Sequence, residues 1–217
     1  MAPRGGEYEI MSPSSSTSSA PLSSLAAVEA AYGSVDGYQI ARAEKRRQRD
    51  AGTFIEGIQY GEINSEAFAE ALSWVSPRPG ETFIDLGSGT GKAVLTAAAV
   101  YAFASVTGVE ILRPLSDAAV AARERCDLSA LPTRDVRFIC ADALSFPWTC
   151  IDVVFVSLTC FTDEQVAMVA HDVQQLGKGA RILVTSRPLQ SAALKLLKKG
   201  DLPYGKGRMR FLAYERV

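Results

Sequence analysis

Apolar and polar positions change period repeatedly along this chain. Between Ser65 and Val75, Phe68, Leu72 and Val75 recur at helical spacing, which predicts an amphipathic helix that Pro77, Pro79 and Gly80 bring to a stop. Short apolar runs then alternate with helical segments. The predicted order is strand Phe83 to Leu86, helix Gly91 to about Phe103, strand Ser105 to Val109 and helix Pro114 to Cys126. Strands Val136 to Ile139 and Ile151 to Val156, helix Asp163 to Gln175 and strand Ala180 to Ser186 follow. The runs IDVVFV and RILV are apolar at nearly every position, as parallel strands covered on both faces are. The expected architecture is therefore a doubly wound α/β sheet. At the end, Ala192 to Leu197 is a short apolar stretch, KKGD or YGKG turns the chain, and MRFLAYER alternates like a hairpin strand at the sheet edge.

The beginning has no such pattern. Ser12 to Ser24, SPSSSTSSAPLSS, is almost all Ser, Thr and Pro and cannot bury enough apolar area to offset its ordering entropy. Residues 1–24 are expected to be a disordered tail, 25–80 a helical segment with a loop, and 81–217 the sheet domain. Leu25 to about Asp50 reads as helical and ends in ARAEKRRQRD, either a solvated helix face or a patch for an acidic partner.

Composition narrows the function classes. The chain has 217 residues, enough for one core of ordinary size, and a net charge of -1, which gives no global steering toward nucleic acid. Direct nucleic-acid binding is expected to be weak or absent. Cys126, Cys140, Cys150 and Cys160 show no zinc-like spacing, and His171 is the single histidine, so no metal site is expected and the thiols read as buried and reduced. No apolar run is long enough to span a bilayer, and MAPRGGEYEI lacks the apolar core of a secretory signal, so an intracellular setting is expected.

The candidate chemistry lies in TFIDLGSGTGKAVLTAAA, Thr82 to Ala99. A phosphate loop needs four residues between its first glycine and the Gly-Lys pair, then a hydroxyl for magnesium. Only three separate Gly87 from Gly91-Lys92, and Ala93 has no hydroxyl. A dinucleotide fingerprint needs glycine where Lys92 stands. Asp85 decides further, because a carboxylate aimed into the loop repels a pyrophosphate and attracts the ammonium of an amino acid. Glu110 ends the next strand, about twenty residues on, where an acid accepts hydrogen bonds from a ribose. Asp142 follows the third strand, placed either to meet an adenine amine or to cap a turn. Carboxylates for ammonium, ribose and adenine at three successive strand ends describe S-adenosylmethionine.

These residues resemble those of a seven-strand, Rossmann-like class I methyltransferase. Within that class, YGEINSEAF, FIDLGSGTGKAVLTAAA, GVE, CADALS, VVFVSLTCF and KGARILVTSRPL resemble, in order, the non-SET histone lysine methyltransferases of the disruptor-of-telomeric-silencing type. The resemblance spans Gln59 to about Pro188. It implies that Tyr60, Gly61 and Glu62 close over the cofactor. It implies further contacts from Asp85, Gly87, Ser88, Gly89, Gly91, Lys92, Glu110, Asp142 and Ala143. That family places asparagines and an aromatic after its fourth strand, where this chain has Ser157, Leu158 and Thr159. Its glutamine at the position of Lys92 and its larger apolar residue at Ala143 are also absent.

The implied reaction is N-methylation of a protein lysine, with histone H3 or a nucleosome as partner and a nuclear location, or a cytoplasmic one for another acceptor. Methyl transfer from a sulfonium needs proximity and alignment rather than an enzyme nucleophile. Tyr60, Glu62, Ser157 and Thr159 are the candidate channel residues. A different protein or small-molecule acceptor, or a cofactor-binding module without turnover, remain the rival functions.

Overall fold

The computed structural model describes residues 20–53, 60–204 and 207–217. Among the described residues, α-helices and β-strands follow one another as α1 (Ala20–Tyr32), α2 (Gly37–Asp50), α3 (Ser65–Ser73), β1 (Thr82–Leu86), α4 (Lys92–Val100), β2 (Ser105–Glu110) and α5 (Arg113–Arg125). Then come β3 (Val136–Cys140), β4 (Val153–Ser157), α6 (Asp163–Asp172), β5 (Arg181–Thr185), β6 (Leu194–Tyr204) and β7 (Gly207–Arg216).

The strands form one seven-stranded sheet in the order β3-β2-β1-β4-β5-β7-β6. The first five are parallel, and β7 runs antiparallel to both β5 and β6. Strand order reverses between β1 and β4, so the carboxyl ends of β1, β2 and β4 diverge around a crevice where ligands of open α/β sheets bind. In register, Asp85 faces Gly108 on one side and Phe155 on the other, and Glu110 pairs with Cys140.

Two apolar layers sandwich the sheet. One joins α1, α3 and α4 to it through Val28, Phe68, Leu72, Phe83, Leu95 and Phe155, and the other packs Val169, Val173 and Trp148 against Ile84, Val154 and Ile182. Phe68 is fully buried, with ring centroids 4.8 Å from Phe155 and 6.4 Å from Phe83. Truncating a ring so placed costs about 3–5 kcal/mol. Local signals set the helix ends. Asn64 accepts from the Ala67 N–H before α3, and Thr162 and Gln165 form a capping box before α6.

Three expectations change. First, α1 begins at Ala20, inside the span read as tail, because Val28, Ala31 and Tyr32 bury themselves against α4; residues 1–19 lie outside the described ones. Second, MRFLAYER is not the edge. It lies in β7 between β5 and β6, while KKGD, read as a possible turn, belongs to the edge strand β6, and the chain reverses between Tyr204 and Gly207. Ala213 and Phe211 can lie inside because β6 shields them. Third, of the cysteines only Cys126 is buried, and Cys150 is exposed. No described helix is long and apolar enough to cross a membrane, and no described cluster of His, Cys, Asp or Glu has the makings of a metal site.

Candidate cofactor and acceptor site

A cavity of about 420 Å³ opens at the carboxyl ends of β1, β2 and β4. Strand β1 and the loop after it contribute Asp85, Gly87, Ser88 and Gly89, and the start of α4 contributes Lys92. Glu110 enters from β2, Asp142 and Ala143 from the turn after β3, and Ser157 and Thr159 from the end of β4. Tyr60, Gly61 and Glu62 cover the loop from the other side. Of the residues singled out by sequence, Gly91 alone stays outside the cavity. A Cβ there would lie 2.4 Å from the Phe138 ring and 3.0 Å from Ala119, so this glycine serves helix-to-sheet packing at φ 81°.

The loop is held in place by three side chains. Tyr32 of α1 donates its hydroxyl to the Thr90 carbonyl at 2.7 Å, and Tyr60 shares a hydrogen bond with Thr90 Oγ1 at 3.0 Å. Glu110 accepts from the Gly89 N–H through Oε2 at 2.8 Å and from the Leu112 N–H through Oε1 at 2.9 Å. Gly89 itself has φ 55°, and a Cβ on it would come 2.9 Å from the Tyr60 ring. The Tyr60 ring thus rests on the bare backbone of the loop, which only glycine permits at that φ.

Charge in the site is arranged against water. Asp85 is 2 % exposed, and burial first, then the Glu110 charge, push its carboxyl well above the usual range. Burial raises Glu110 too, opposed by its backbone hydrogen bonds. Asp85 Oδ1 and Ser88 Oγ are buried with no hydrogen-bond partner among the described residues. Such groups are costly unless a ligand satisfies them. An amino-acid ammonium fits the first, so the donor and acceptor set suits S-adenosylmethionine. Partial burial likewise raises Glu62, with Lys92 opposing and Glu29 and Asp36 adding. Lys92 pairs with Glu29 of α1 at 2.9 Å. Asp142 shows the turn-capping role considered for it. It lines the cavity and caps its own turn, accepting from the Leu144 N–H at 3.0 Å and the Ser145 hydroxyl at 3.1 Å.

Two aromatics of the cavity went unread in sequence. Tyr204 comes from the far end of β6, where YGKG looked only like a turn; its ring lies over Gly61, and both it and Ser157 line the cavity. Burial pushes the Tyr204 hydroxyl up to about 12. Tyr38, at the start of α2, stands edge-on to Tyr60 with centroids 5.2 Å apart. Neither sits in a motif, so only the tertiary fold reveals them.

The profile of a family described as "Histone methylation protein DOT1" matches residues 40–201. No curated protein is similar enough to match. Solved structures of similar fold include magnesium protoporphyrin IX methyltransferase (ChlM) from Synechocystis PCC 6803 with bound SAM. It is 16% identical with a TM-score of 0.58, over 85% of this chain and 99% of that one. An RNA methyltransferase from Salinibacter ruber in complex with S-adenosyl-L-homocysteine is 18% identical with a TM-score of 0.58, over 71% of this chain and 93% of that one. At these identities the likeness is one of fold.

Proposed function

The chain belongs to the histone methylation protein DOT1 family, and on that premise we propose that it methylates the side-chain nitrogen of a protein lysine, with histone H3, free or in a nucleosome, as first candidate. It is an S-adenosylmethionine-dependent methyltransferase, class I in its sheet. The observation that carries the lysine reading is Tyr60. Its ring lies on Gly89, its hydroxyl reaches Thr90, and the segment it begins, Tyr60-Gly61-Glu62, is what separates this family's pattern from the glycine loop common to the whole class.

S-adenosylmethionine, when bound, supplies an electrophilic methyl whose departure leaves a neutral thioether. Asp85 would hold the ammonium, and Glu110 would accept ribose hydroxyls on the lone pairs left by Gly89 and Leu112. Asp142 and Ala143 would flank the adenine, with Gly87, Ser88, Gly89 and Lys92 along the loop. Tyr60 and Glu62 close the cavity against water. The protein's work is alignment, which suffices for an in-line displacement.

A lysine must arrive neutral, because only the free amine has a lone pair. Desolvation in the cavity disfavours the ammonium. Burial keeps the hydroxyls of Tyr60 and Tyr204 protonated, so they orient rather than take a proton. Glu62 is the carboxylate placed to receive it, and burial already raises its affinity for a proton. Ser157 and Thr159 line the acceptor end.

Those two hydroxyls stand where the family has amides, which favours a second reading, an acceptor other than lysine. The test offers nucleosomes, free histones and a small-molecule lysate fraction in parallel with isotope-labelled cofactor, and locates the label by mass spectrometry. Label on lysine Nζ supports the proposal. Label only in small molecules or on another nitrogen promotes the second reading, and no label anywhere promotes a binding module without turnover.

A further inference from the structure

The acceptor end of the cavity, at Ser157, Thr159, Cys160 and Phe161, is held from outside. The segment that supplies it leaves β4 through a single helical turn, Leu158–Cys160, too short to fix itself. The chain leaving β5 grips it at three points. Ser186 Oγ lies 2.6 Å from Thr159 Oγ1, Arg187 Nη1 donates to the Phe161 carbonyl at 2.8 Å, and Arg187 Nη2 pairs with Asp163 at the start of α6. Neither Ser186 nor Arg187 lines the cavity.

Ser186 has φ 66°, a left-handed conformation that a Cβ makes unfavourable and that glycine adopts freely. Its N–H is fixed by the Arg210 carbonyl at 2.8 Å, so β7 holds the strained residue in place. What serine adds over glycine there is a hydroxyl that bridges Thr159 Oγ1 and Met209 Sδ, the latter at 2.8 Å. Strain kept at the rim of a site is a sign of positioning.

We propose that Ser186 and Arg187 form a latch that positions the acceptor wall, Ser157 to Phe161, and so sets how tightly an acceptor side chain is held. Both are positioning residues, acting through Thr159 and Phe161. The inference rests on reading that end of the cavity as the acceptor end.

The test compares Ser186→Gly, Ser186→Ala, Arg187→Ala and Arg187→Lys in the full chain. Ser186→Gly relieves strain and removes the hydroxyl. It should melt no lower than wild type, bind S-adenosylhomocysteine unchanged, and raise the acceptor KM roughly three- to tenfold, as loss of one hydrogen bond does. Ser186→Ala should show the same KM change without the gain in melting temperature. Arg187→Ala should raise KM further, and Arg187→Lys, which keeps the pairing with Asp163 but not the fork to Phe161, should recover part of it.

A second readout needs no acceptor. The rate at which N-ethylmaleimide alkylates Cys160, followed by mass spectrometry of its peptide, should rise several-fold in Ser186→Gly as the wall loosens. A rise in a protein that transfers nothing to lysine supports the latch and sinks the lysine reading. Unchanged alkylation and unchanged KM would overturn the latch, as would a parallel loss of melting temperature, cofactor affinity and turnover, which marks a merely structural contact.

Discussion

Glu110 binds the loop it was expected to face across a ligand: its Oε2 accepts the Gly89 N–H at 2.8 Å while Oε1 accepts the Leu112 N–H at 2.9 Å. The carboxylate thus shapes the site before any ribose arrives. Glu110→Ala removes two hydrogen bonds to a charged acceptor, each worth about 1.5–3 kcal/mol, and relieves in return the burial of that charge. Affinity for S-adenosylhomocysteine should fall on the order of 10- to 100-fold in calorimetry. The melting temperature of the ligand-free protein should change as well, which a residue touching only ligand would not cause.

Asp85 makes the ligand-free protein sensitive to pH. Its folded pKa is raised, so the folded state binds more protons than the unfolded one, and stability falls as pH rises from the unfolded value of about 3.9 through the folded value. The loss is complete above the folded value. Asp85→Asn should therefore raise the melting temperature at neutral pH and flatten its fall with pH, yet weaken cofactor binding. At a pH below the folded pKa of Asp85, the ligand ammonium replaces its proton, and the binding enthalpy should there vary with buffer ionisation enthalpy in the sense of proton release.

Two glycines only two residues apart, Gly89 and Gly91, should respond differently to the same change. Gly91→Ala drives a methyl into Phe138 at φ 81° and should lower the melting temperature, overpacking alone costing about 1–3 kcal/mol. Gly89→Ala meets the Tyr60 ring instead, at φ 55°, and should chiefly displace the lid and weaken cofactor binding. Thermal melts and calorimetry on both variants separate the two roles.

Tyr60→Ala should lower turnover more than cofactor affinity, because it widens the acceptor path and loosens the in-line geometry. Tyr60→Phe keeps the ring on Gly89 and loses only the Thr90 hydrogen bond, a matter of about 0.5–1.5 kcal/mol. Steady-state kinetics with the methylated acceptor distinguish them. The rate should also rise with pH as the lysine amine loses its proton.

Much of the parallel sheet was legible because IDVVFV and RILV carry its burial in their composition, and the acids were legible because Asp85, Glu110 and Asp142 lie at or next to the carboxyl ends of successive strands. Tyr38, Tyr204, Ser186 and Arg187 were not. Their partners lie far away in sequence, as Arg187 lies from Phe161, and no periodicity reports a contact between two loops. The place of β7 inside the sheet was also hidden, since alternation in MRFLAYER suits an edge strand and an interior antiparallel one equally. Gly91 shows the opposite limit: the motif marked it, while its neighbour Phe138 explains it.

The most direct measurement of the central claim, that buried acids at successive strand ends select S-adenosylmethionine, is a calorimetric titration of the wild-type protein with S-adenosylhomocysteine, NAD and GTP in parallel. Saturable binding of S-adenosylhomocysteine alone, weakened in Asp85→Asn and Glu110→Ala, is the expected result. Binding of NAD or GTP with S-adenosylhomocysteine ignored would contradict it.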